Sequence, residues 1–278
     1  MKQFCDLHVH SVFSDGSETP AYLVEQAEKL GLSAIALCDH NTIAGLPDFL
    51  AAAKGKRVRA VPGIEFSTDY QGTELHILGL FLPERSYEAV TALLEDTLKK
   101  KEENNRLLVR KLNEAGYDLD YEQIAAGTPK GHINRAHIAA ELTRKGYTVS
   151  VKEAFRTLLS EKAGFYQRAP QPRALDVIRF IKSVGATAVL AHPFLNLDEA
   201  QLRQFLPLAV DAGLDAMETV YVDYDERTTK TAKAVAKDFS LKESGGSDFH
   251  GKAKPDIALG VGRGNLRVSA EFVSKLLP

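Results

Sequence analysis

The 278-residue chain has no tryptophan and only two cysteines, Cys5 and Cys38, which lie far apart and form no C-x-x-C spacing. Two such thiols cannot build the disulfide framework of a small secreted domain, and a reduced, buried pair in a cytoplasmic protein is expected. No run of 18 apolar residues is present, so no membrane-spanning helix and no membrane partner are expected. Neither sign of charge dominates: 35 Lys and Arg face 37 Asp and Glu, a net charge of −2. That balance excludes the strongly basic signature of nucleic-acid packaging and the charge excess of a disordered tail. A P-loop is missing too, because Gly260-Val261-Gly262-Arg263-Gly264 has neither its spacing nor its lysine. Met1 to Asp6 leads straight into a polar, His-rich segment without the apolar stretch of a secretory leader, and a cytoplasmic location is expected.

Short apolar runs alternate with helical patterns. Phe4 to His8, Ala34 to Cys38, Val58 to Val61 and Leu75 to Phe81 read as strands. Pro20 to Leu30 reads as a helix, with Thr19 as its N-cap, Leu23, Ala27 and Leu30 at helical spacing and Gly31 at its end. A second series runs through a helix over 173–184, a strand over 187–191, a helix over 198–212, a strand over 214–220, a helix over 225–239 and a glycine-rich strand end over 243–248. Repeated β-α-β units imply parallel strands. Between the two series the strand signals stop. Setting those roughly 75 residues aside leaves about 29 per β-α unit for seven units, close to the size of a barrel unit. One α/β barrel, 1–98 plus 173–278, carrying an all-helical insertion over 99–172, is therefore expected. From Lys99 to Arg173 there are 15 Lys and Arg against 9 Asp and Glu, while the remainder holds 20 and 28. An acidic barrel suits a polynuclear cation site, and a basic cap suits an anionic substrate.

Histidines and carboxylates gather at strand ends. His8 and His10 stand two residues apart at the end of the first strand, which puts both side chains on one face. Asp15 follows in the next loop. His40 ends the second strand, Glu65 the third, His76 lies in the fourth, His192 ends a later one, and Asp248 with His250 ends the last. In a parallel barrel the C-terminal strand ends share one rim, so these nine residues are expected to converge. Imidazole and carboxylate without thiolate suit divalent Zn, Mn or Fe. One four-coordinate ion cannot use nine ligands, so two or three ions with a bridging carboxylate are expected, a combination that polarises phosphoryl oxygens and activates water. His132 and His137, inside the insertion, lack this strand-end context.

Asp6-Leu7-His8-Val9-His10-Ser11, Cys38-Asp39-His40-Asn41-Thr42, Gly63-Ile64-Glu65, Ala191-His192-Pro193 and Gly246-Ser247-Asp248-Phe249-His250-Gly251 resemble the motifs of the PHP (polymerase and histidinol phosphatase) superfamily. The inserted segment from Gly131 to Ala139 resembles that of its small phosphoesterases acting on nucleoside 3′,5′-bisphosphates and on RNA or oligonucleotide ends. The resemblance implies a distorted (β/α)7 TIM-like barrel with three metals. One ion would take His8, His10, Glu65 and Asp248, a second Glu65, His76 and His192, and a third Asp15, His40 and His250, with Glu65 bridging the first two. It also implies that Arg135 and His137 grip a phosphate, a task that suits the planar fork of arginine. Departures from close relatives are Asn41 in place of Asp, Ala136 in place of Pro, and no histidine from Glu218 to Tyr224.

The expected activity is metal-dependent hydrolysis of a phosphate ester on a small anionic substrate, a nucleotide or short oligonucleotide, with no obligate protein partner. Asp39 is expected to orient the His40 imidazole, with proton acceptance as its alternative role. No residue stands out as a general acid, and His137 is the one to test. Tyr221 or Tyr224 could stack on a base, although a core position is the more common use of such a tyrosine. The alternatives are a histidinol-phosphate-type phosphatase and a non-catalytic metal-binding regulatory module.

Overall fold

The computed structural model describes residues 3–127, 133–167 and 170–278. The chain opens with β1 (Cys5–Val9), α1 (Pro20–Lys29), β2 (Ala34–Leu37) and α2 (Leu46–Ala52). Thr19 caps α1 by accepting the Tyr22 N–H at 3.2 Å. Pro20 takes the first turn, where a missing N–H costs nothing, and Leu23, Val24 and Ala27 bury the inner face. β1 and β2 are buried throughout, so they read as short apolar runs rather than as alternating ones.

The third strand runs far beyond the expected Val58 to Val61. β3 (Arg59–Tyr70) continues through Pro62 and Gly63, a pair that reads as a strand end because proline gives up a ladder donor. Here the Pro62 carbonyl still accepts the Leu82 N–H at 3.0 Å. β3 then turns at Gln71-Gly72 into β4 (Thr73–Leu80). Both turn residues have positive φ, 53° and 83°, the backbone of a tight two-residue hairpin.

Among the described residues, four α-helices follow: α3 (Tyr87–Glu114), α4 (Tyr121–Ala126), α5 (Arg135–Arg144) and α6 (Val151–Arg156). The barrel resumes with α7 (Ala174–Ser183), β5 (Thr187–Ala191), α8 (Glu199–Asp211), β6 (Ala216–Tyr221), α9 (Glu226–Asp238), β7 (Lys242–Gly246) and α10 (Glu271–Lys275). Strand order follows chain order from β1 to β7. The sheet closes where the Asp248 N–H donates to the His8 carbonyl and the His10 N–H to the Phe249 carbonyl, both at 2.9 Å. The result is a distorted seven-stranded barrel with outer helices. One correction applies to the expectation of parallel strands: β4 pairs antiparallel with both β3 and β5, because a two-residue link cannot form the crossover that parallel pairing requires.

The 28-residue α3 passes unbroken through the boundary expected at 98/99. Its first half sends Val90 and Leu94 into the main barrel core. Its second half sends Leu108, Val109 and Leu112 into a separate core with Ile124, Ile133, Ile138 and Leu142. The helical segment returns to the barrel at β3, where the Asp69 N–H donates to the Pro172 carbonyl at 2.9 Å. A third cluster, including Leu7, Val61, Leu78 and Val189, packs with Phe272 and Leu276 of the C-terminal segment. Cys5 and Cys38 are buried and unpaired.

Candidate metal centre

β1 and the segment after β7 are pinned together by Asp6, whose buried carboxylate accepts the Ser247 N–H (2.9 Å), the Ser247 hydroxyl (2.6 Å) and the Gly260 N–H (2.8 Å). β7 can approach β1 this closely because of Gly246, where a Cβ would lie 2.4 Å from His8 Cβ. Three residues around the centre hold positive φ without being glycine: Asn41 at 51°, His192 at 26° and Asp248 at 52°. Such backbone costs about 1–3 kcal/mol each and persists only when surrounding bonds fix it. Those bonds are Asn41 N–H to the Glu65 carbonyl (2.9 Å), Asp248 N–H to the His8 carbonyl (2.9 Å) and His192 N–H to Glu218 Oε2 (2.7 Å).

Glu65 is the hub. Its Oε2 lies 3.2 Å from His8 Nε2, 3.2 Å from His10 Nε2 and 3.1 Å from His40 Nδ1. Its Oε1 lies 2.8 Å from His76 Nδ1 and 3.0 Å from His192 Nε2. Asp248 Oδ1 is 3.1 Å from His10 Nε2, and Asp15 Oδ1 is 3.3 Å from His250 Nε2. All nine residues singled out from the sequence are thus brought into one cluster. The donor atoms gather in overlapping groups, each within 4.8 Å: His10 with Asp15, His40 and His250; His8 with His10 and Glu65; and His40 with Glu65 and His76.

His8 Nε2, both ring nitrogens of His10, His40 Nδ1 and Glu65 Oε2 are buried without a well-formed hydrogen bond. An unpaired buried polar atom costs about 1–3 kcal/mol, so several side by side are explained by a ligand that they share. Five imidazoles around one carboxylate, with no thiolate, fit divalent cations of the Zn, Mn or Fe kind.

Several rings are fixed from behind. His8 Nδ1–H donates to Glu218 Oε1 at 3.0 Å, and His250 Nδ1–H to the Asp248 carbonyl at 2.8 Å, so the Nε2 lone pair of each faces the centre. His76 Nε2 meets Glu74 Oε1 at 3.2 Å while Nδ1 meets Glu65. Asp248 Oδ2 is taken by the Tyr221 hydroxyl (2.8 Å) and Lys254 Nζ (2.6 Å), which leaves Oδ1 toward the histidines.

In the metal-free centre these contacts set the protonation states. Burial works against charge on Glu65, yet the imidazoles, His40 and His8 foremost, hold its carboxyl well below the usual range. Burial likewise pulls His76 and His10 down, but the carboxylates win and carry them up to about 10 and about 9. For His40 burial prevails and the ring falls to about 3.

Asp39 is used differently from the expectation that it orients His40. Its carboxylate accepts the Ser11 N–H (2.7 Å) and the hydroxyls of Ser11 and Ser14 (both 2.6 Å), so it fixes the loop that carries Asp15. The physical reason is local: this buried carboxylate meets three donors from the β1 loop before it can reach the ring. Tyr221 and Tyr224 occupy core positions, with the Tyr224 hydroxyl accepting the Phe194 N–H at 3.1 Å. Asn41 exchanges two 3.0 Å bonds with Ser67, one as donor and one as acceptor.

A cavity of about 180 Å³ opens beside the centre. Asp15, His40 and His76 line its barrel side, and Lys101, Arg135 and Tyr166 its helical side. The Arg135 guanidinium stacks 3.9 Å from the Tyr166 ring centroid, a cation–π contact that holds the planar fork in place. α5 contributes Asn134, Arg135 and Ala136 to the lining but not His137. The reason is that His137 is the third residue of a capping box: its Nδ1 accepts the Asn134 N–H at 3.1 Å. His132 lies outside the described residues.

Glu218, Glu74, Lys101 and Lys254 were not singled out from the sequence. Glu218 did leave a signal, a carboxylate inside the otherwise uncharged, buried strand Ala216–Tyr221. Glu74 stands two residues before His76 and so shares its face of β4. Lys101 lies within Lys99-Lys100-Lys101-Glu102-Glu103, where only the fold distinguishes it from a solvated face.

Comparison with known proteins agrees with this fold. The PHP domain model matches residues 6–167. The phosphoribosyl 1,2-cyclic phosphate 1,2-diphosphodiesterase of Eggerthella lenta is 35% identical over 89% of this chain and 94% of its own length. A 5′-3′ exoribonuclease of Haemophilus influenzae is 32% identical over 88% of this chain and 89% of its own. A solved structure from Bifidobacterium adolescentis, described as a candidate metal-dependent phosphoesterase, superposes with a TM-score of 0.88 at 29% identity, covering 99% of this chain and 96% of that one. With a model match across more than half its length and full-length relatives above 30% identity, the chain belongs to the PHP family and is a metal-dependent phosphoesterase.

Proposed function

We propose that the protein hydrolyses a phosphate ester of a nucleotide or short oligoribonucleotide at a three-metal centre. The observation that carries this reading is Glu65, buried among five imidazoles, two of which, His40 and His76, line a cavity whose other side presents Arg135. His8, His10, Glu65 and Asp248 would hold one ion, Glu65, His76 and His192 a second, and Asp15, His40 and His250 a third. Divalent ions bound there supply Lewis acidity toward a phosphoryl oxygen and lower the pKa of a coordinated water.

The chain's own residues do the rest. Glu218 fixes the His8 ring, and Tyr221 with Lys254 fixes Asp248, so donor positions are set before substrate arrives. Arg135, held by Tyr166, presents a fork suited to phosphate oxygens. His137 secures the start of the helix that carries it. At about 180 Å³ the cavity is smaller than the ~300 Å³ lower bound for drug-sized ligands, so it encloses the phosphorylated end of a substrate and leaves the remainder outside.

The test is phosphate release by manganese-loaded protein from adenosine 3′,5′-bisphosphate, a 5′-phosphorylated short RNA and histidinol phosphate. Chelator-sensitive turnover of either of the first two supports the reading. Turnover of histidinol phosphate alone, or of none with metal demonstrably bound, overturns it.

A further inference from the structure

Ser67 is used neither by the metal centre nor by the packing of the barrel. It stands two residues beyond Glu65 on β3, and the β3–β4 register is regular from Gly63 to Tyr70, so both side chains leave the same face of the strand. His76 is its direct partner on β4. Ser67 is partly buried and lines the cavity with His40, Asn41 and His76, one step outward from the hub.

Asn41 decides which way the Ser67 hydroxyl points. The Asn41 side chain is buried, and its Oδ1 accepts the Ser67 N–H at 3.0 Å. That bond leaves Nδ2 to face Ser67 Oγ, and Nδ2 donates to it, also at 3.0 Å. The Asn41 N–H donates in turn to the Glu65 carbonyl at 2.9 Å, which anchors the amide to the strand that carries the hub. A hydroxyl has one proton and two lone pairs. One lone pair of Ser67 is spent on Asn41, and its proton finds no acceptor among the described residues. The oxygen is therefore a donor held on the cavity wall beside His40 and His76.

We infer that Ser67 is a catalytic residue whose hydroxyl donates a hydrogen bond to the leaving oxygen of the phosphate ester, with Asn41 as the residue that orients it. The three equatorial oxygens of a phosphoryl group in transfer are the ones that divalent ions and Arg135 suit. The ester oxygen is left over; it joins phosphorus to the body of the substrate, which leaves through the cavity where Ser67 stands. A water oxygen bonds to phosphorus, the ester P–O bond breaks, and its electron pair stays on the leaving oxygen. The attacking water gives up one proton to solvent and the leaving alcohol takes one from solvent, while the Ser67 proton stays on Ser67. A donor already in place meets the charge that grows on that oxygen without reorganising. The inference rests on the phosphoesterase activity and not on the nucleotide reading.

The experiment compares wild type, Ser67→Ala, Ser67→Cys and Ser67→Thr, all manganese-loaded, on aryl phosphates running from p-nitrophenyl phosphate, whose leaving group needs no help, to phenyl phosphate. The readout is the slope of log kcat/KM against leaving-group acidity, which does not depend on the fraction of active protein. A neutral hydrogen bond is worth about tenfold in rate. Ser67→Ala is expected to keep kcat/KM for p-nitrophenyl phosphate within about twofold and to lower that for phenyl phosphate by about tenfold, steepening the slope. Threonine should restore the slope, and cysteine, a weak donor, should fall between. Manganese affinity, measured by competition with a fluorescent chelator, should stay within about twofold of wild type in Ser67→Ala, because Ser67 acts on the substrate. A slope unchanged in both Ser67→Ala and Ser67→Cys, equal losses across the series, or a tenfold loss of manganese affinity overturns the inference.

Discussion

Glu218 Oε1 lies 3.0 Å from His8 Nδ1, a contact between residues 210 positions apart, and both side chains are fully buried. The other oxygen of the same carboxylate takes the His192 N–H at 2.7 Å. One acidic side chain on β6 therefore aims the His8 ring and holds the strained backbone at His192. Carboxylate partners of metal-binding imidazoles typically carry about 10–100-fold in metal affinity. Glu218→Gln is expected to weaken manganese binding by about tenfold and Glu218→Ala by about a hundredfold, measured by competition with a fluorescent chelator. Affinity equal to wild type in both variants would remove Glu218 from this role.

Proton competition should govern metal uptake. In the metal-free centre His10 and His76 titrate at about 9 and about 10, above the ordinary 6.5 of histidine, so both rings carry protons at neutral pH. A metal must displace those protons. Its apparent affinity should rise with pH from about 6.5 to about 9, by up to about tenfold per pH unit for each proton displaced. The same raised values add stability to the metal-free fold that is complete below pH 6.5 and is lost as pH climbs through 9 to 10. Calorimetry at pH 7.5 in buffers of different ionisation enthalpy should detect proton release on manganese binding, and uptake without release would contradict the assignment.

Asp39→Ala should act through the loop over residues 11–15. The substitution leaves the Ser11 N–H and the Ser11 and Ser14 hydroxyls without their acceptor. A cost of about 3 kcal/mol is expected in chemical denaturation, in line with unpaired buried donors at ~1–3 kcal/mol each. Because Asp39 holds the loop that carries Asp15, the residual activity should keep the pH profile of the wild type. A profile that loses one limb would instead make Asp39 a proton acceptor.

Arg135→Lys should not rescue Arg135→Ala. The guanidinium stacks on Tyr166 at 3.9 Å and offers parallel N–H groups, neither of which an ammonium reproduces. Both variants are expected to raise KM for a nucleotide substrate by about tenfold or more, the worth of a charged hydrogen bond. Steady-state kinetics of the two variants would decide, and full recovery by lysine would mean that only the charge matters.

Much of the candidate centre was legible because strand ends combine two local signals, a short apolar run and a histidine or carboxylate where it stops. His8, His10, His40 and His192 stand in such places. The hairpin of β3 and β4 was not legible, since Pro62-Gly63 imitates a strand end and Gln71-Gly72 is a turn whose effect on strand direction appears only in pairing. Asp39 was misread for a related reason. Its adjacency to His40 suggested a local partner, whereas its donors come from a loop more than twenty residues earlier.

By itself, the sequence determined the residue types and their periodic placement: buried strands, a cap of the opposite charge, and a donor set of imidazole and carboxylate without thiolate. These follow from local composition and spacing, which the chain carries whatever its path in space. Only the tertiary structure decided which oxygen of Glu65 faces which ring, that Glu218 stands behind His8, that Asp39 serves a loop, and that Lys101 faces the centre rather than solvent. Each depends on contacts between distant segments, where a single side-chain rotation or one turn of α3 changes the partner and local pattern holds no record of the choice.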